Sequence, residues 1–383
     1  MVKVLHLIKT LNLGGAELNL FNLVREINPK EFEIHVGYSF GGEFEESFRK
    51  KGVRLFKFAR GRHKIKSLTS LGIIFRIIIY ILKNKIDIIH THTFNAHIWG
   101  ATAAKLTRRK IVEHVHDSRY LAPDEFKKRR EFSRQYKHIK LFGRISDKVI
   151  VLTEQNYAFL RDNNLYDESQ IRKIHNGIPF SNRENPRSKT DRNLRDKLDI
   201  KEDNLIILTP SRLSPEKNVD LIFELAPRVR EKYPKAVFII SGDGPLFEEF
   251  RKKTQELKLE DTVRMIGFYP QIFDLLEITD IFLLPSLLEL HSIAILEALS
   301  MKVPVVVSKD VGSNDEFIKD WHNGVLINPF GSDGWAEAII KLLGDKELRR
   351  AIGQRGYELC QNNFDIKDVT RRIERVYVEL IGK

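Results

Sequence analysis

The sequence predicts an α/β protein built from two doubly wound, Rossmann-like domains. Short apolar runs rich in β-branched residues alternate with amphipathic segments along most of the 383 residues. Runs such as VKVLHLI and IDIIHTH are apolar on both faces, which is typical of parallel strands covered by helices on each side. A polar stretch interrupts the alternation once, and the same pattern then resumes. We therefore expect two domains facing a cleft, with ligands bound at the carboxyl ends of the strands.

The polar stretch sets the expected domain boundaries. Residues 179–201 contain two prolines and no apolar period, which is typical of a linker. We predict an N-terminal Rossmann-like domain over residues 1–185, a linker over 186–201 and a C-terminal Rossmann-like domain over 202–365. Residues 366–383 are predicted to form a final helix that packs back on the N-terminal domain.

The composition is that of an ordinary globular protein, with 42% hydrophobic and 30% charged residues. The single cysteine, Cys360, excludes an internal disulfide and fits a reducing compartment. The N-terminus has no secretory signal pattern. The most apolar run, residues 71–82, is shorter than the roughly 20 residues that span a bilayer. We expect a cytoplasmic protein without a membrane-spanning helix.

Charge is distributed unevenly along the chain. Residues 1–190 carry 36 Lys and Arg against 19 Asp and Glu, whereas the remainder carries 28 against 33. Two stretches, 57–68 and 126–142, interleave basic with aromatic and aliphatic side chains, which suits an anionic membrane surface. No recognised nucleic-acid motif accompanies them. We expect peripheral association with the inner face of the cytoplasmic membrane and no nucleic-acid partner; a merely basic surface is the alternative.

Two glutamates lie eight positions apart in the otherwise apolar stretch LLPSLLELHSIAILEALSMKVPVVV. Burial of Glu289 or Glu297 costs free energy unless a partner binds the carboxylate. A carboxylate has two acceptor oxygens, which suit the hydroxyl groups of a polar ligand. Ser292 is predicted to cap a helix that begins at Ile293, and a helix N-terminus is a phosphate site. Two surface glutamates of no special role are the other interpretation.

Eight or so motifs, taken together, resemble those of the retaining, nucleotide-sugar-dependent glycosyltransferases of the GT-B fold, family 4 (glycosyltransferase group 1). The first half contains LGGAE, IDIIHTH, HVHD and IHNGI. The second half contains SRLSPEKNV, SGDGP, the glutamate pair and VPVVVSKDVGSNDEFI. Each motif is weak alone, but their order and spacing over essentially the whole chain are specific. The resemblance implies transfer of a hexose-type sugar from a nucleotide diphosphate donor (UDP-sugar favoured, GDP-sugar next) to a glycan or lipid-linked acceptor, in polysaccharide or lipopolysaccharide biosynthesis.

The resemblance also assigns the donor site. The leaving diphosphate gains negative charge in the transition state, so cations must stabilise it. No Asp-any-Asp motif is present to hold a metal, and Arg212 and Lys217 are expected to supply the charge instead. Glu297 is expected to bind the ribose, and Glu289 to approach the transferred sugar. The expected donor-binding residues are Gly14, Gly15, Arg212, Lys217, Gly242, Glu289, His291, Ser292, Ile293 and Glu297.

His116 ends a predicted strand, and with Asp117 it matches the family's His-Asp pair near the donor sugar. We expect His116 and Glu289 to be the catalytic residues, with His116 stabilising the oxocarbenium-like centre. A structural role is the alternative for a single strand-end histidine. On the acceptor side we expect His92 and Asn176. Because no protein nucleophile is obvious, the likeness favours attack by the acceptor hydroxyl from the face of the leaving phosphate.

Ten of the twelve histidines precede residue 191, including His90, His92 and His97. Strand alternation places His90 and His92 on one face, which raises the possibility of zinc. Because no cysteine or acidic cluster joins them, we expect an acceptor-side or structural role, with no metal and no cofactor.

The chain departs from the family pattern at Leu290, where a glycine is usual. A narrower sugar pocket is the expected consequence, with His291 able to replace a missing amide contact. Three alternatives remain open at this point. They are a nucleotide-sugar epimerase of the same fold, a non-catalytic nucleotide-sugar or glycan-binding protein and, least favoured because LGGAE lacks the three-glycine fingerprint, a dehydrogenase.

Overall fold

The chain divides into two compact units in the computed structural model. Unit 1 comprises Met1–Pro179 and Ile366–Lys383, and unit 2 comprises Phe180–Asp365. The residues that the structure describes are 1–59, 67–116, 139–140, 145–180 and 193–382.

Parallel strands and the helices between them make up both units. The described strands are β1 (Val2–Thr10), β2 (Phe32–Phe40), β3 (Arg54–Lys57), β4 (Ile88–Thr91), β5 (Lys110–His114), β6 (Lys148–Val151), β7 (Ile171–Lys173), β8 (Leu205–Pro210), β9 (Ala236–Ser241), β10 (Val263–Gly267), β11 (Ile281–Leu284), β12 (Val305–Ser308) and β13 (Val325–Ile327). The described helices are α1 (Gly15–Glu26), α2 (Phe44–Lys50), α3 (Ser67–Asn84), α4 (Phe94–Thr107), α5 (Glu154–Asp162), α6 (Leu194–Lys197), α7 (Ile222–Lys232), α8 (Phe247–Glu256), α9 (Ile272–Glu277), α10 (Ile293–Ser300), α11 (Asn314–Phe317), α12 (Asp333–Gly344), α13 (Lys346–Asn363) and α14 (Ile366–Ile381).

Each unit is built on one sheet. Within the described residues, the sheet of unit 1 has the order β3-β2-β1-β4-β5-β6-β7 and that of unit 2 the order β10-β9-β8-β11-β12-β13. The strands pair in parallel, and the chain order reverses between β1 and β4 and again between β8 and β11. This confirms the predicted α/β class with two doubly wound sheets. Such reversal points are where open α/β sheets bind ligands.

The strands of both sheets are buried because their side chains are apolar on both faces. In unit 2, Phe238 and Leu283 pack with the indole of Trp335 from α12 in one core. Helix α10, with the sequence IAILEALS, is also largely buried, which explains why its sequence lacks a polar face.

The final helix belongs to unit 1. Ile366, Ile373 and Tyr377 of α14 join the apolar core beneath β1, β4 and β5. The amide of Ile366 donates to the carbonyl of Ile178 at 2.9 Å, which fixes the start of the helix. Further along, Glu374 accepts from the amide of Asn28 at 2.7 Å.

The predicted linker differs from the observed chain. Unit 2 begins at Phe180, and residues 193–201 already form part of it. Leu194 in α6 and Ile200 are 1% and 4% exposed, so two widely spaced apolar side chains anchor a stretch whose overall composition is polar. Residues 186–192 of the predicted linker lie outside the described residues. No helix in the described part of the chain is long and apolar enough to cross a membrane.

Candidate functional site

Lys217 and Glu289 form an ion pair at the carboxyl ends of β8 and β11. Lys217 lies in a short 3-10 turn after β8, and Glu289 lies in the loop after β11. The Lys217 Nζ is 2.5 Å from Glu289 Oε1, which also accepts a hydrogen bond from the Ser286 hydroxyl at 2.9 Å. The side chains are only 22% and 11% exposed. Glu289 is therefore a nearly buried carboxylate whose charge is compensated by Lys217. This ion pair offsets the free-energy cost of burying the carboxylate.

The two loops are held together through Glu216. Its carbonyl oxygen accepts from the amide of Leu287 at 2.8 Å. Burial alone would raise the pKa of the Glu216 carboxyl, but a backbone hydrogen bond, the Ser214 hydroxyl and the charges of Lys217 and Arg212 together hold it below its usual value. Arg212 is exposed, and its guanidinium makes no hydrogen bond or ion pair with the described residues. The turn after β8 therefore carries two positive charges, one of them paired.

The next helix, α10, starts where the sequence predicts. Ser292 occupies the N-cap position, but in the described part of the chain its side chain makes no capping hydrogen bond, so the predicted cap is wrong. The Ser292 hydroxyl therefore does not cap the backbone amides of the first turn, which begins at Ile293, and these amides can donate to another acceptor. Ile293 itself is 7% exposed and contributes its backbone rather than its side chain. Glu297 lies one turn further on and is partly exposed.

The glycine expected at Leu290 is not required here. Leu290 is not among the described residues with positive φ, so a branched side chain fits its backbone. The position that requires a glycine is instead Gly312, because its φ is +61° and a Cβ there would overlap the carbonyl oxygen of Leu290. Ser313 holds that oxygen through its amide at 2.9 Å and its hydroxyl at 3.1 Å. The loop that carries Glu289 is therefore positioned by the Gly312–Ser313 turn.

His291 does not lie where a ligand contact was expected. It is 3% exposed, and its ring packs against Phe317 and Phe364 with centroids 5.3 Å and 4.9 Å apart. We therefore assign His291 to the core of unit 2 in place of the predicted role in donor binding. The two phenylalanines that bury it follow much later in the sequence, which is why the local pattern did not reveal them.

The loop glycines serve different purposes. Gly242 follows β9, where a Cβ would overlap the carbonyl oxygen of Ser211, so close packing of two loops alone explains it. Gly14 caps α1 with an extended backbone, and Gly15, the first helical residue, has open space around it. Open space at the start of α1 is therefore found at Gly15, whereas the Glu17 carboxylate lies against Gly14.

The sequence analysis missed Glu17 in the first turn of α1. Its carboxylate curls back toward Gly14 and accepts a hydrogen bond from the Thr10 hydroxyl at 2.5 Å. Burial raises the pKa of Glu17, more than the Thr10 hydrogen bond lowers it. Glu17 lies three residues after the N-cap glycine, which is the position of the acidic residue in a capping box. This spacing could have identified Glu17 from the sequence.

Histidines from three adjacent strands converge: His6 lies midway along β1 and pairs with His90, and the others lie at or just beyond the carboxyl ends of β4 and β5. The Nδ1 of His6 lies 2.8 Å from His92 Nε2, and His92 Nδ1 lies 3.2 Å from His116 Nε2. The His114 ring stacks on that of His116, with centroids 4.1 Å apart. His90 Nδ1 and the hydroxyl of Tyr377 are 2.5 Å apart. Burial lowers the pKa of both His6 and His116 to about 3, so these imidazoles are neutral at ordinary pH.

The cluster corrects the acceptor-side prediction. His92 is fully buried between His6 and His116, and Asn176 is 5% exposed, so neither side chain is presented to an acceptor. His116 is partly exposed and remains available to a ligand. Two triplets could hold a metal, namely His6, His90 and His92, and His92, His114 and His116, each with ring nitrogens within 4.8 Å of one another. Asp117 and most of the basic stretches 57–68 and 126–142 lie outside the described residues.

Comparisons with known proteins agree with this architecture. The family described as "Glycosyltransferase Family 4" matches residues 13–182, and "Glycosyl transferases group 1" matches residues 190–359. An Escherichia coli protein, "UDP-Gal:alpha-D-GlcNAc-diphosphoundecaprenol alpha-1,3-galactosyltransferase", is 26% identical over 99% of this chain and 97% of its own. The "Alpha-monoglucosyldiacylglycerol synthase" of Acholeplasma laidlawii is 24% identical over 97% and 95%.

Solved structures show the same fold. The crystal structure of Anabaena HepE in complex with UDP and glucose has a TM-score of 0.83 and 23% identity, covering 98% of this chain and 99% of that one. The sucrose-phosphate synthase of Thermosynechococcus elongatus has a TM-score of 0.82 and 18% identity, over 100% of both chains. Two doubly wound parallel sheets of this kind define the GT-B architecture. This chain belongs to the glycosyltransferases of the group 1, family 4 type, as its motifs indicate.

Proposed function

We propose that the protein transfers a hexose from a UDP-sugar, with retention at the anomeric carbon, to a glycan or lipid-linked acceptor. The observation that carries this is the Lys217–Glu289 pair beside the start of α10, at the strand ends where open α/β sheets bind ligands. Two similar proteins support the choice of donor, since one is named for UDP-Gal and the other was crystallised with UDP and glucose. A GDP-sugar is the less favoured donor.

The charge that develops on the leaving UDP is stabilised by the protein itself. Arg212 and Lys217 neutralise the diphosphate, and the first-turn amides of α10 donate to it. Glu297 accepts from the ribose hydroxyls through its two carboxylate oxygens. No metal ion is needed at the diphosphate, because two cations and a helix N-terminus provide the positive charge there.

Retention follows from attack on one face of the sugar. The acceptor hydroxyl oxygen forms a bond to the anomeric carbon on the side from which the diphosphate departs. The bond between that carbon and the diphosphate oxygen breaks, and the departing oxygen takes the hydroxyl proton. His116, as a neutral imidazole, contacts the sugar hydroxyls, and Glu289 stabilises the positive charge near the ring oxygen.

The direct test is turnover in the presence of a chelator. The protein would be incubated with UDP-glucose, UDP-galactose, UDP-N-acetylglucosamine and GDP-mannose, with and without lipid-diphosphate-linked sugars, and nucleotide release would be measured. Acceptor-dependent release of UDP supports the proposal. An epimerase would convert the nucleotide sugar without releasing UDP, and a binding protein would release nothing; either result contradicts it.

We also propose that α3 rests on an anionic membrane at the cytoplasmic face. Four large apolar side chains, spaced four, four and three residues apart, are 47–64% exposed along one face of this helix: Leu71, Phe75, Ile79 and Leu82. Arg76, Lys83 and Lys85 are exposed around them. Apolar residues beside cations suit a surface of anionic lipid. The names of two similar proteins refer to lipid-linked or lipid molecules, which supports an acceptor at a membrane.

Flotation with vesicles tests this surface. Wild-type protein should float with vesicles that contain anionic phospholipid, and less with phosphatidylcholine alone. Phe75→Glu should abolish flotation. Phe268→Glu is the matched control, since Phe268 is an exposed phenylalanine of unit 2 at 54% exposure. Equal flotation of both variants would contradict the assignment.

A further inference from the structure

We propose that His92, His114 and His116 form a binding site for a divalent transition metal ion, with Zn²⁺ as the first candidate. The three side chains lie at the carboxyl ends of β4 and β5, and their ring nitrogens lie within 4.8 Å of one another. Three imidazole nitrogens are a common ligand set for zinc, with one position left for water. The inference rests on the geometry of unit 1; His116 would hold the ion through Nε2, so that the sugar contact proposed above falls to Nδ1 of the same ring.

The spacing of two of the ligands already fits. His92 Nδ1 and His116 Nε2 are 3.2 Å apart. Tetrahedral Zn²⁺ with Zn–N bonds of about 2.0–2.1 Å places two ligand nitrogens about 3.3 Å apart. An ion can therefore lie between these atoms with little movement of either ring.

The other nitrogen of His92 has the partner that a metal ligand needs. Its Nε2 lies 2.8 Å from His6 Nδ1, so the His92 Nε2–H can donate to His6 and leave the Nδ1 lone pair for the ion. A hydrogen bond of this kind fixes both the tautomer and the ring orientation of a metal-binding histidine. His6 thus acts as a positioning residue for His92.

His114 supplies the independent observation. Both of its ring nitrogens are buried without a hydrogen-bond partner among the described residues. Burial of a polar ring without hydrogen-bond partners is unfavourable, and a bond to a metal ion would give one of the two ring nitrogens a partner. His116 is partly exposed, which gives an ion a route into the site.

The second triplet, of His6, His90 and His92, is less suitable. All three residues are fully buried, so no ring of the set reaches the surface. His90 Nδ1 is also engaged by the hydroxyl of Tyr377 at 2.5 Å. We therefore assign the ion to the triplet that includes His116.

The experiment is titration of Zn²⁺ into the full chain, purified without a polyhistidine tag and dialysed against a chelator. Isothermal titration calorimetry should show one site in the wild type. His114→Gln should weaken binding at least 100-fold, and His6→Gln by about 10–100-fold through loss of the His92 partner. His322→Gln, in an exposed residue of unit 2, is the matched control and should bind like the wild type.

Co²⁺ gives a second readout, because a tetrahedral site should produce visible absorption bands that His114→Gln removes. Should His114→Gln fail to fold, as judged by circular dichroism, His116→Asn at the partly exposed ligand takes its place. Absence of Zn²⁺ binding by the wild type, or equal binding by the ligand variants, would overturn the proposal. Loss of binding in His90→Gln but not in His114→Gln would assign the ion to the other triplet and overturn it as well.

Discussion

The ammonium group of Lys217 lies 2.5 Å from Oε1 of Glu289, and both side chains are largely withdrawn from water. The two residues come from different loops, after β8 and β11, so the ion pair joins the two strands at which the sheet order of unit 2 reverses. A diphosphate bound there would compete with Glu289 for the same cation. The pair therefore holds the Lys217 side chain in place in the free protein.

Substitution of Lys217 should impair turnover more than folding. Lys217→Met removes a cation from the expected diphosphate site, and loss of one such group typically lowers kcat by about 10²–10³-fold. Lys235→Met is the control, since Lys235 also forms an ion pair, 2.6 Å from Asp203, but is 66% exposed. Steady-state kinetics with the preferred donor would measure both. A Lys217→Met enzyme within twofold of the wild type would refute the role.

The turn at Gly312 should control the position of Glu289. Gly312→Ala places a methyl group against the Leu290 carbonyl at a residue with φ of +61°, so the loop must shift. A displacement of about 1 Å can cost about 10²-fold in rate. Gly331→Ala is the matched control, because its φ is +85° with nothing within 4 Å of the added carbon.

Both alanine variants share the backbone strain, and only Gly312→Ala has the overlap. Urea unfolding should therefore show a loss of stability in both variants, larger in Gly312→Ala because of the overlap, and activity assays should show a loss of kcat only in Gly312→Ala. Equal kcat values in the two variants would show that the turn does not position the loop.

Glu17 should make stability depend on pH. Its folded-state pKa is raised above 4.5, so the folded protein holds this proton more tightly than the unfolded chain does. The stabilising contribution is fully present below pH 4.5 and is lost as pH rises through the folded pKa. Glu17→Gln should therefore gain stability relative to the wild type as pH increases.

Thermal unfolding of wild type and Glu17→Gln between pH 4 and 7 measures this difference. Glu337→Gln, at an exposed position on α12, is the matched control for removal of one carboxylate. A Glu17→Gln difference that does not change with pH would contradict the raised pKa.

Tyr377→Phe should destabilise unit 1. The hydroxyl of Tyr377 is fully buried and bonds to His90 Nδ1, so its removal leaves a buried imidazole nitrogen without a partner. The expected loss is about 1–3 kcal/mol in the free energy of unfolding. Tyr157→Phe loses a hydroxyl bonded to Glu168 at 2.9 Å on the surface and should unfold like the wild type. Urea unfolding compares them, and equal losses would contradict the argument.

The fold was predictable because its signal is local. Each strand is a short apolar run and is followed by a helical segment, so the alternation can be recognised without knowledge of tertiary contacts. The positions of Lys217 and Glu289 after β8 and β11 were also predictable, since both strands are recognisable in the sequence, but the ion pair between the two side chains was not predicted. The short helix α6 was missed because only Leu194 and Ile200 are buried in a polar stretch.

The environment of individual side chains was much harder to predict. His291 was taken for a ligand contact because its burying partners, Phe317 and Phe364, come from later elements. Only part of the histidine cluster could be predicted from the sequence, because His6 and His90 become neighbours through the register of β1 and β4. Such pairings depend on strand order, which the sequence alone did not give.

The central claim is that Glu297 and the start of α10 hold the nucleotide of a UDP-sugar. Calorimetric titration of UDP in the presence of a chelator, with GDP and ADP for comparison, tests it most directly. Wild type and the exposed control Glu337→Ala should bind UDP alike and prefer it to the other two nucleotides. Glu297→Ala should lose most of this binding while it remains folded. Equal UDP binding by Glu297→Ala, or no UDP binding by the wild type, would contradict the account.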